Sequence, residues 1–168
     1  MRLGEEFLQV TIREFEKLKD TGERTMAQLD ERELHWRPHA ESNSIVVIVQ
    51  HLAGNMISRW TDFLTSDGEK PDRNREEEFV ERSWSREELL RLWEEGWQVT
   101  LGTLRSLKTE DLERTVTIRN EPHTVIQAVQ RQLAHYAFHV GQMVVLARQI
   151  KGATWKTLSI PREGSEAF

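Results

Sequence analysis

HTVIQAVQRQLAHYAFHVGQMVVLARQI, residues 123–150, is the stretch whose reading decides the fold. No Gly or Pro interrupts it before Gly141. Val125, Val129, Leu133, Tyr136, Val140, Met143, Ala147 and Ile150 recur at three- and four-residue steps. That spacing is one stripe of an α-helix. The stretch holds no Asp or Glu although the chain is rich in both, which predicts that most of its surface is buried. His135 and His139 stand four apart, with Gln132 one turn ahead of His135, so the three side chains project from one side of the helix.

Outward from this helix, the chain reads as three more of the same kind. Leu8, Ile12, Phe15, Leu18 and Met26 mark an amphipathic helix over 3–28, with Gly22 as a mild interruption or bend. Pro38 disfavours helix at Arg37, so 29–42 is a connection with one turn at 31–34 and Trp36 plugging it onto the core. Asn43 or Ser44 caps a second helix over 45–64. Its Ile-Val-Val-Ile-Val start has strand propensity. Helix is favoured because Leu52, Ala53, Met56, Trp60 and Phe63 continue the 3.6 period from Ile45 and Val49. Residues 65–74, polar with Gly68 and Pro71, form a loop. Ser85 with Glu88 is a capping-box pair opening a third helix to Leu107, with Leu89, Trp93, Trp97, Leu101 and Leu104 on one face. Residues 115–119 alternate as a short extended piece, 120–122 turn into the last helix, and Gly152 ends it. Trp155, Leu158 and Ile160 lay the tail back over the helices. Four long amphipathic helices joined by loops predict an all-α protein, a four-helix bundle forming one domain over 1–168.

The 168 residues suit a single domain with a core of its own. With 23 Lys+Arg against 28 Asp+Glu the net charge is −5, and no long basic patch is present. Such a chain is a poor candidate for binding nucleic acid or an anionic membrane. The longest aliphatic run, 45–49, is far too short to span a bilayer, and the N-terminus lacks the apolar core of a signal peptide. There are no cysteines. That fits a reducing, cytoplasmic setting and removes thiolate metal sites and cysteine nucleophiles. A metal would have to be held by His, Asp, Glu or main-chain oxygen.

Neutral imidazole binds zinc, nickel, iron or copper, and a pair at i, i+4 on a helix can present two nitrogens to one ion. Among six histidines such a pair also arises by chance. His35 and His39 repeat the spacing, but Pro38 lies between them and no regular helix aligns them. They and His123 read as solvated or capping residues. His51, on the second helix, is the third candidate. On a wheel it falls nearly opposite the Ile45–Val49–Leu52–Met56–Trp60 stripe, which is a solvated position. Against that, Val47 and Ile48 make this half of the helix apolar nearly all round. His135 and His139 likewise lie at the edge of their stripe. Periodicity leaves two readings open: a His51–His135–His139 metal site lining a groove, or three ordinary satisfied histidines.

The segments NSIVVIVQHLAGNMISRW (43–60) and RQLAHYAFHVGQMVVLAR (131–148) resemble the signature regions of the DinB-like superfamily, in its branch of small proteins related to DinB and YfiT. The likeness rests on His51, Leu52 and Asn55 in an HLxxN-like context, and on His135, His139, Gly141 and Gln142 in an HxxxHxGQ-like one. The tail WKTLSIPREGS (155–165) is similar to that branch as well. Over nearly the whole chain the resemblance implies a four-helix bundle, often a homodimer. It also implies a divalent metal ion on His51, His135 and His139, with zinc or nickel ahead of iron or manganese. Characterised relatives in the superfamily include thiol-dependent transferases and an isomerase. That implies a small-molecule substrate with a low-molecular-weight thiol beside it.

Three neutral His ligands leave a fourth position for water or substrate, the catalytic rather than the structural arrangement of zinc. Thiol transfer and metal-assisted hydrolysis both fit it. A non-catalytic metal-binding or stress-associated binding protein is the remaining reading. No general acid or base is legible, and a last helix without carboxylates makes the four-carboxylate di-metal bundle a poor fit. Asn55 and Gln132, each one turn from a histidine, could hydrogen-bond substrate or pack between helices, with Gln142 and Tyr136 behind them. Trp36, Trp60, Trp93 and Trp97 read as core. Arg59 and Asp62, on the His51 side of the second helix, read as surface charges able to attract a charged substrate.

Overall fold

A computed structural model describes residues 3–161 of the chain; positions 162–165 of the stretch that resembles the DinB-like tail lie outside the described residues. Within them the protein is mostly helical. The elements are α1 (Leu3–Met26), α2 (Glu31–Leu34), α3 (Ile45–Trp60), α4 (Arg86–Ser106), the strands β1 (Thr115–Ile118) and β2 (Glu121–Thr124), and α5 (Val125–Lys151). Each long helix after the first begins on a side-chain cap. Ser44 accepts from Val47 N, while Ser85–Glu88 and Thr124–Gln127 form reciprocal capping boxes. At Gly22 α1 runs on without interruption. The Trp93 ring lies where a Cβ would stand, so the glycine admits a close approach rather than a bend. Helix α3 stops at Trp60, short of the expected 64, because Asp62 takes a φ of 49° and turns the chain.

The four long helices close around one core: α3 packs on α4, α1 on α5, and α1–α4 and α3–α5 contacts complete the circuit. Each contributes one ring to its centre. Phe15 of α1 lies 5.9, 6.4 and 5.8 Å from Trp60 of α3, Trp97 of α4 and Tyr136 of α5, all edge to face. Each such pair adds about 0.5–1.5 kcal/mol to the area it buries. Trp36 does not join this core; it is 39% exposed on the connection after α2. The tail does return: Gln28 exchanges two hydrogen bonds with the backbone of Lys156, and Trp155 packs against the core, although Ile160 stays exposed.

The extended piece predicted at 115–119 is half of an antiparallel hairpin, which qualifies the all-α expectation. Its turn residues Arg119 and Asn120 have φ of 55° and 62°, the left-handed pair of a tight hairpin turn. Asp67 holds that turn from outside, accepting the N–H of Arg119 at 2.9 Å and of Asn120 at 2.8 Å.

Helix α3 is enclosed on nearly all sides. The charged segment between α3 and α4 folds across the face that the other helices leave open, and its short 3-10 turn Glu77–Phe79 packs directly on α3. Gln50 fixes it by donating to the carbonyls of Glu78 and Val80, and Trp84 Nε1 donates to Gln50 Oε1. By contrast α5, expected to be largely buried, exposes Ala134, Phe138, Gly141 and Val145 on one side. No helix among the described residues is long and apolar enough to cross a membrane.

Candidate metal centre

His135 and His139 project from one side of α5 toward α3, and His51 of α3 meets them there. The three rings form a near-equilateral triangle, with centroids 5.2 Å (His51–His135), 4.9 Å (His51–His139) and 4.8 Å (His135–His139) apart. One ring nitrogen from each lies within 4.8 Å of the others. His51 Nε2 and His135 Nε2 are 3.2 Å apart. His51 is buried and the other two are partly buried.

The remaining ring nitrogens of two histidines hold these orientations. His51 Nδ1 donates to Glu78 Oε2 at 2.9 Å, and His139 Nδ1 donates to Gln142 Oε1 at 3.1 Å. A proton committed to Nδ1 leaves Nε2 of the same neutral ring as a lone pair. Glu78 is itself gripped by Arg73, whose Nε and Nη2 reach its two oxygens at 2.7 Å each. Phe79 lies against the His51 ring, centroids 4.6 Å apart. Burial pushes His135 down to about 3, assisted by His139, His51, Arg59 and Arg73, and burial next to His51 also lowers His139. Both are therefore neutral at physiological pH, the state that ligates metal.

This donor set fits a divalent ion of the zinc type. Nitrogens about 2.05 Å from a tetrahedral ion stand about 3.3 Å apart, with ring centroids about 5 Å apart. The three centroid distances and the 3.2 Å between His51 Nε2 and His135 Nε2 have that size, and all three ligand nitrogens lie within 4.8 Å of one another. The carboxylate and the amide behind two of the rings are the outer partners that fix ligating imidazoles in metal sites. The three histidines could thus hold a metal ion.

The other histidines lie elsewhere. His35 bonds Glu81 and the Trp84 carbonyl, His39 accepts from Glu41 N, and His123 bonds the Glu121 carbonyl and Arg131. Asn55 and Gln132 line a cavity of about 240 Å³ that opens beside His51 and His135. Tyr136 is a core residue that orients Asn55: its hydroxyl accepts from Trp60 Nε1 at 2.9 Å and donates to Asn55 Oδ1 at 3.0 Å. That leaves the Asn55 amide nitrogen for the cavity. Gln142 acts on His139 rather than on the cavity.

Arg59 is not a surface charge. It is 4% exposed and lines the same cavity, whereas Asp62 is exposed and does not line it. Sequence reasoning missed Glu78, Arg73 and Phe79 altogether. The only available signal was the charge run of residues 75–78 ending on an aromatic, and nothing in it distinguishes Glu78 from its exposed neighbours Glu76 and Glu77.

No protein in the curated set matches this chain. A family profile, described as Protein of unknown function (DUF1572), matches residues 2–164. On that match over nearly its whole length, the chain belongs to the DUF1572 family.

Proposed function

We propose that the protein is a metal-dependent enzyme of the DinB/YfiT-like type. In this reading it is a four-helix bundle holding one divalent ion, zinc or nickel, on His51, His135 and His139. It acts on a small molecule with a low-molecular-weight thiol as cosubstrate, as a cytoplasmic homodimer. The observation that carries the reading is the triangle of three imidazoles, two of them oriented from behind by Glu78 and Gln142. An ion in that triangle would supply Lewis acidity at one open position, lowering the pKa of a thiol or a water that reaches it.

The protein's own groups favour thiol transfer over hydrolysis. None of the side chains lining the cavity is Asp or Glu, and Glu78 is committed to Arg73 and His51. The cavity thus offers no free carboxylate as a base. A thiol, with an ordinary pKa of about 8.5, needs the least help to ionise. Asn55 and Gln132 would orient the substrate from the cavity wall, and Phe79 shields His51 from solvent. The dimer reading draws on the exposed side of α5, where Phe138 is 65% and Val145 56% exposed.

The test begins with metal analysis of tag-free protein. Wild type carries about one equivalent of metal, and His51→Ala and His139→Ala lose it. Turnover of an electrophile such as 1-chloro-2,4-dinitrobenzene should then require both added thiol and bound metal. Ester hydrolysis without thiol would shift the assignment to the hydrolase reading. Wild type that takes up no metal after reconstitution overturns the proposal.

A further inference from the structure

The cavity beside the histidine cluster is walled by five arginines: Arg59, Arg73, Arg75, Arg119 and Arg131. Their carboxylate partners are few. Glu69 is shared among Arg59 Nη2 at 3.4 Å, Arg73 Nη1 at 3.2 Å and Arg119 Nε at 3.4 Å. Glu78 serves Arg73 and His51 together. Arg75 lies over the Phe79 ring and Arg131 donates to His123, neither of which neutralises it. The cavity therefore concentrates positive charge on a protein whose net charge is −5.

Arg59 is the informative member. A buried guanidinium is normally satisfied at most of its donors, because an unpaired buried charge is costly. Arg59 is 4% exposed, yet its Nε and Nη1 have no hydrogen-bond partner. Its single acceptor is the long contact to Glu69. Gln132, also buried and also on the cavity wall, has an unpartnered Oε1.

We propose that this cavity is an oxyanion subsite: it takes the carboxylate or phosphate group of a small molecule on Arg59, with Arg73 behind it, beside His51 and His135. Guanidinium forks match both groups in shape and charge. Arg75, Arg119 and Arg131 form the rim and draw the anion in. Asn55 adds a neutral donor for a group next to the anionic one. At about 240 Å³ the cavity falls below the roughly 300–1,000 Å³ of sites for drug-sized ligands. It therefore holds one charged end of a substrate or of a thiol cosubstrate, with the rest extending toward the histidines. Binding of the anion stands on these arginines alone. Its role as a substrate anchor rests on the metal-enzyme reading.

The probes are sodium phosphate and sodium malonate, titrated calorimetrically into the full chain at constant ionic strength. Each titration is run on chelator-treated and on zinc-loaded protein. At least one probe is expected to bind one-to-one in both preparations, and the tighter of the two tells phosphate from carboxylate chemistry. Arg59→Gln should weaken binding by about tenfold or more, the loss of a charge-assisted contact. Arg131→Gln, on the rim, should fold as wild type and weaken binding about two- to threefold, an effect that added salt removes. Two results overturn the proposal: neither probe binds wild type in either preparation, or affinity is unchanged in both variants because the anion sits elsewhere. Metal content read on the same samples separates the two readings. Protein that binds malonate through Arg59 but takes up no zinc removes the metal enzyme and keeps the subsite. Zinc uptake without oxyanion binding does the reverse.

Discussion

Replacing Glu78 tests whether the polar segment after α3 builds the histidine site or merely covers it. Glu78 is a hub: Oε2 accepts from His51 Nδ1 at 2.9 Å, and both oxygens accept from Arg73 at 2.7 Å. The Arg73 and Glu78 side chains are 5% and 9% exposed. Removing one partner of a buried ion pair costs about 3–5 kcal/mol, because the other charge is stranded. Here Arg73 keeps Glu69, whose two oxygens both lie 3.2 Å from its Nη1. Glu78→Ala therefore belongs at the lower end, about 3 kcal/mol. The same change leaves His51 Nδ1 without its acceptor and its ring free to rotate. Loss of such an outer partner lowers metal affinity about 10- to 100-fold.

The two effects separate experimentally. Urea unfolding of chelator-treated protein reads the ion pair alone, and zinc competition against a chromogenic chelator reads the orientation of His51. Glu78→Gln sharpens the test. Its amide oxygen can still accept from His51, but its amide hydrogens oppose the Arg73 donors. The Gln variant should retain most of the stability loss and stay near the tenfold end of the affinity loss. If the Ala variant unfolds within about 0.5 kcal/mol of wild type, as an ordinary surface substitution would, and binds zinc equally well, then Glu78 neither anchors Arg73 nor orients His51.

Gly54→Ala should reproduce part of that phenotype from the other side. A Cβ there would press on Glu78 Oε1, so the variant should lose zinc affinity even though alanine favours helix over glycine by about 1 kcal/mol; unchanged affinity would show that Glu78 can yield without disturbing His51. Asp67 carries a pH signature. Burial works against its charge, but the N–H groups of Glu69, Asn120 and Arg119, with the Thr117 hydroxyl, prevail and lower it from 3.8 to about 2. A carboxyl depressed on folding contributes its stability fully above the unfolded value and loses it as pH falls toward the folded one. Wild type should thus lose melting temperature between about pH 4 and pH 2 with Asp67 as one contributor, and Asp67→Asn should flatten that slope while costing about 1–3 kcal/mol at pH 7. Equal slopes for the two proteins would contradict this. Phe138→Glu places a charge on the exposed side of α5. Sedimentation should show a dimer in wild type and a monomer in the variant, with metal content retained; an unchanged oligomeric state would move the interface elsewhere.

What the sequence disclosed and what it hid share one cause. Period-3.6 reasoning works where a helix has one buried face, and it found α1, α4 and the inner stripe of α5 because each has polar residues to mark its outside. Helix α3 has almost no such outside: Val47, Ile48, Gln50, His51, Asn55 and Arg59 are all buried. The wheel therefore sent His51 and Arg59 toward solvent, when their true neighbours include Glu78, Phe79 and Glu69 from the chain that follows. That cover could not be read in advance, because a segment this charged has no apolar period to betray its packing. It is held by Gln50 on its carbonyls and by Arg73 on Glu78. Local turn chemistry hid the hairpin in the same way. Arg119 and Asn120 take left-handed φ without a glycine because Asp67, 52 residues before Arg119, accepts the N–H of both. In both places the deciding partner is a carboxylate on a long connection, distant in sequence from the element it shapes. The misplaced residues, His51 and Arg59, are also among those that line the cavity. A helix wrapped by polar chain can bury imidazole and guanidinium only if that chain supplies their partners. At Arg59 it supplies only the 3.4 Å contact to Glu69, and the arginine-walled cavity on that side is where the proposed oxyanion would add the missing negative charge.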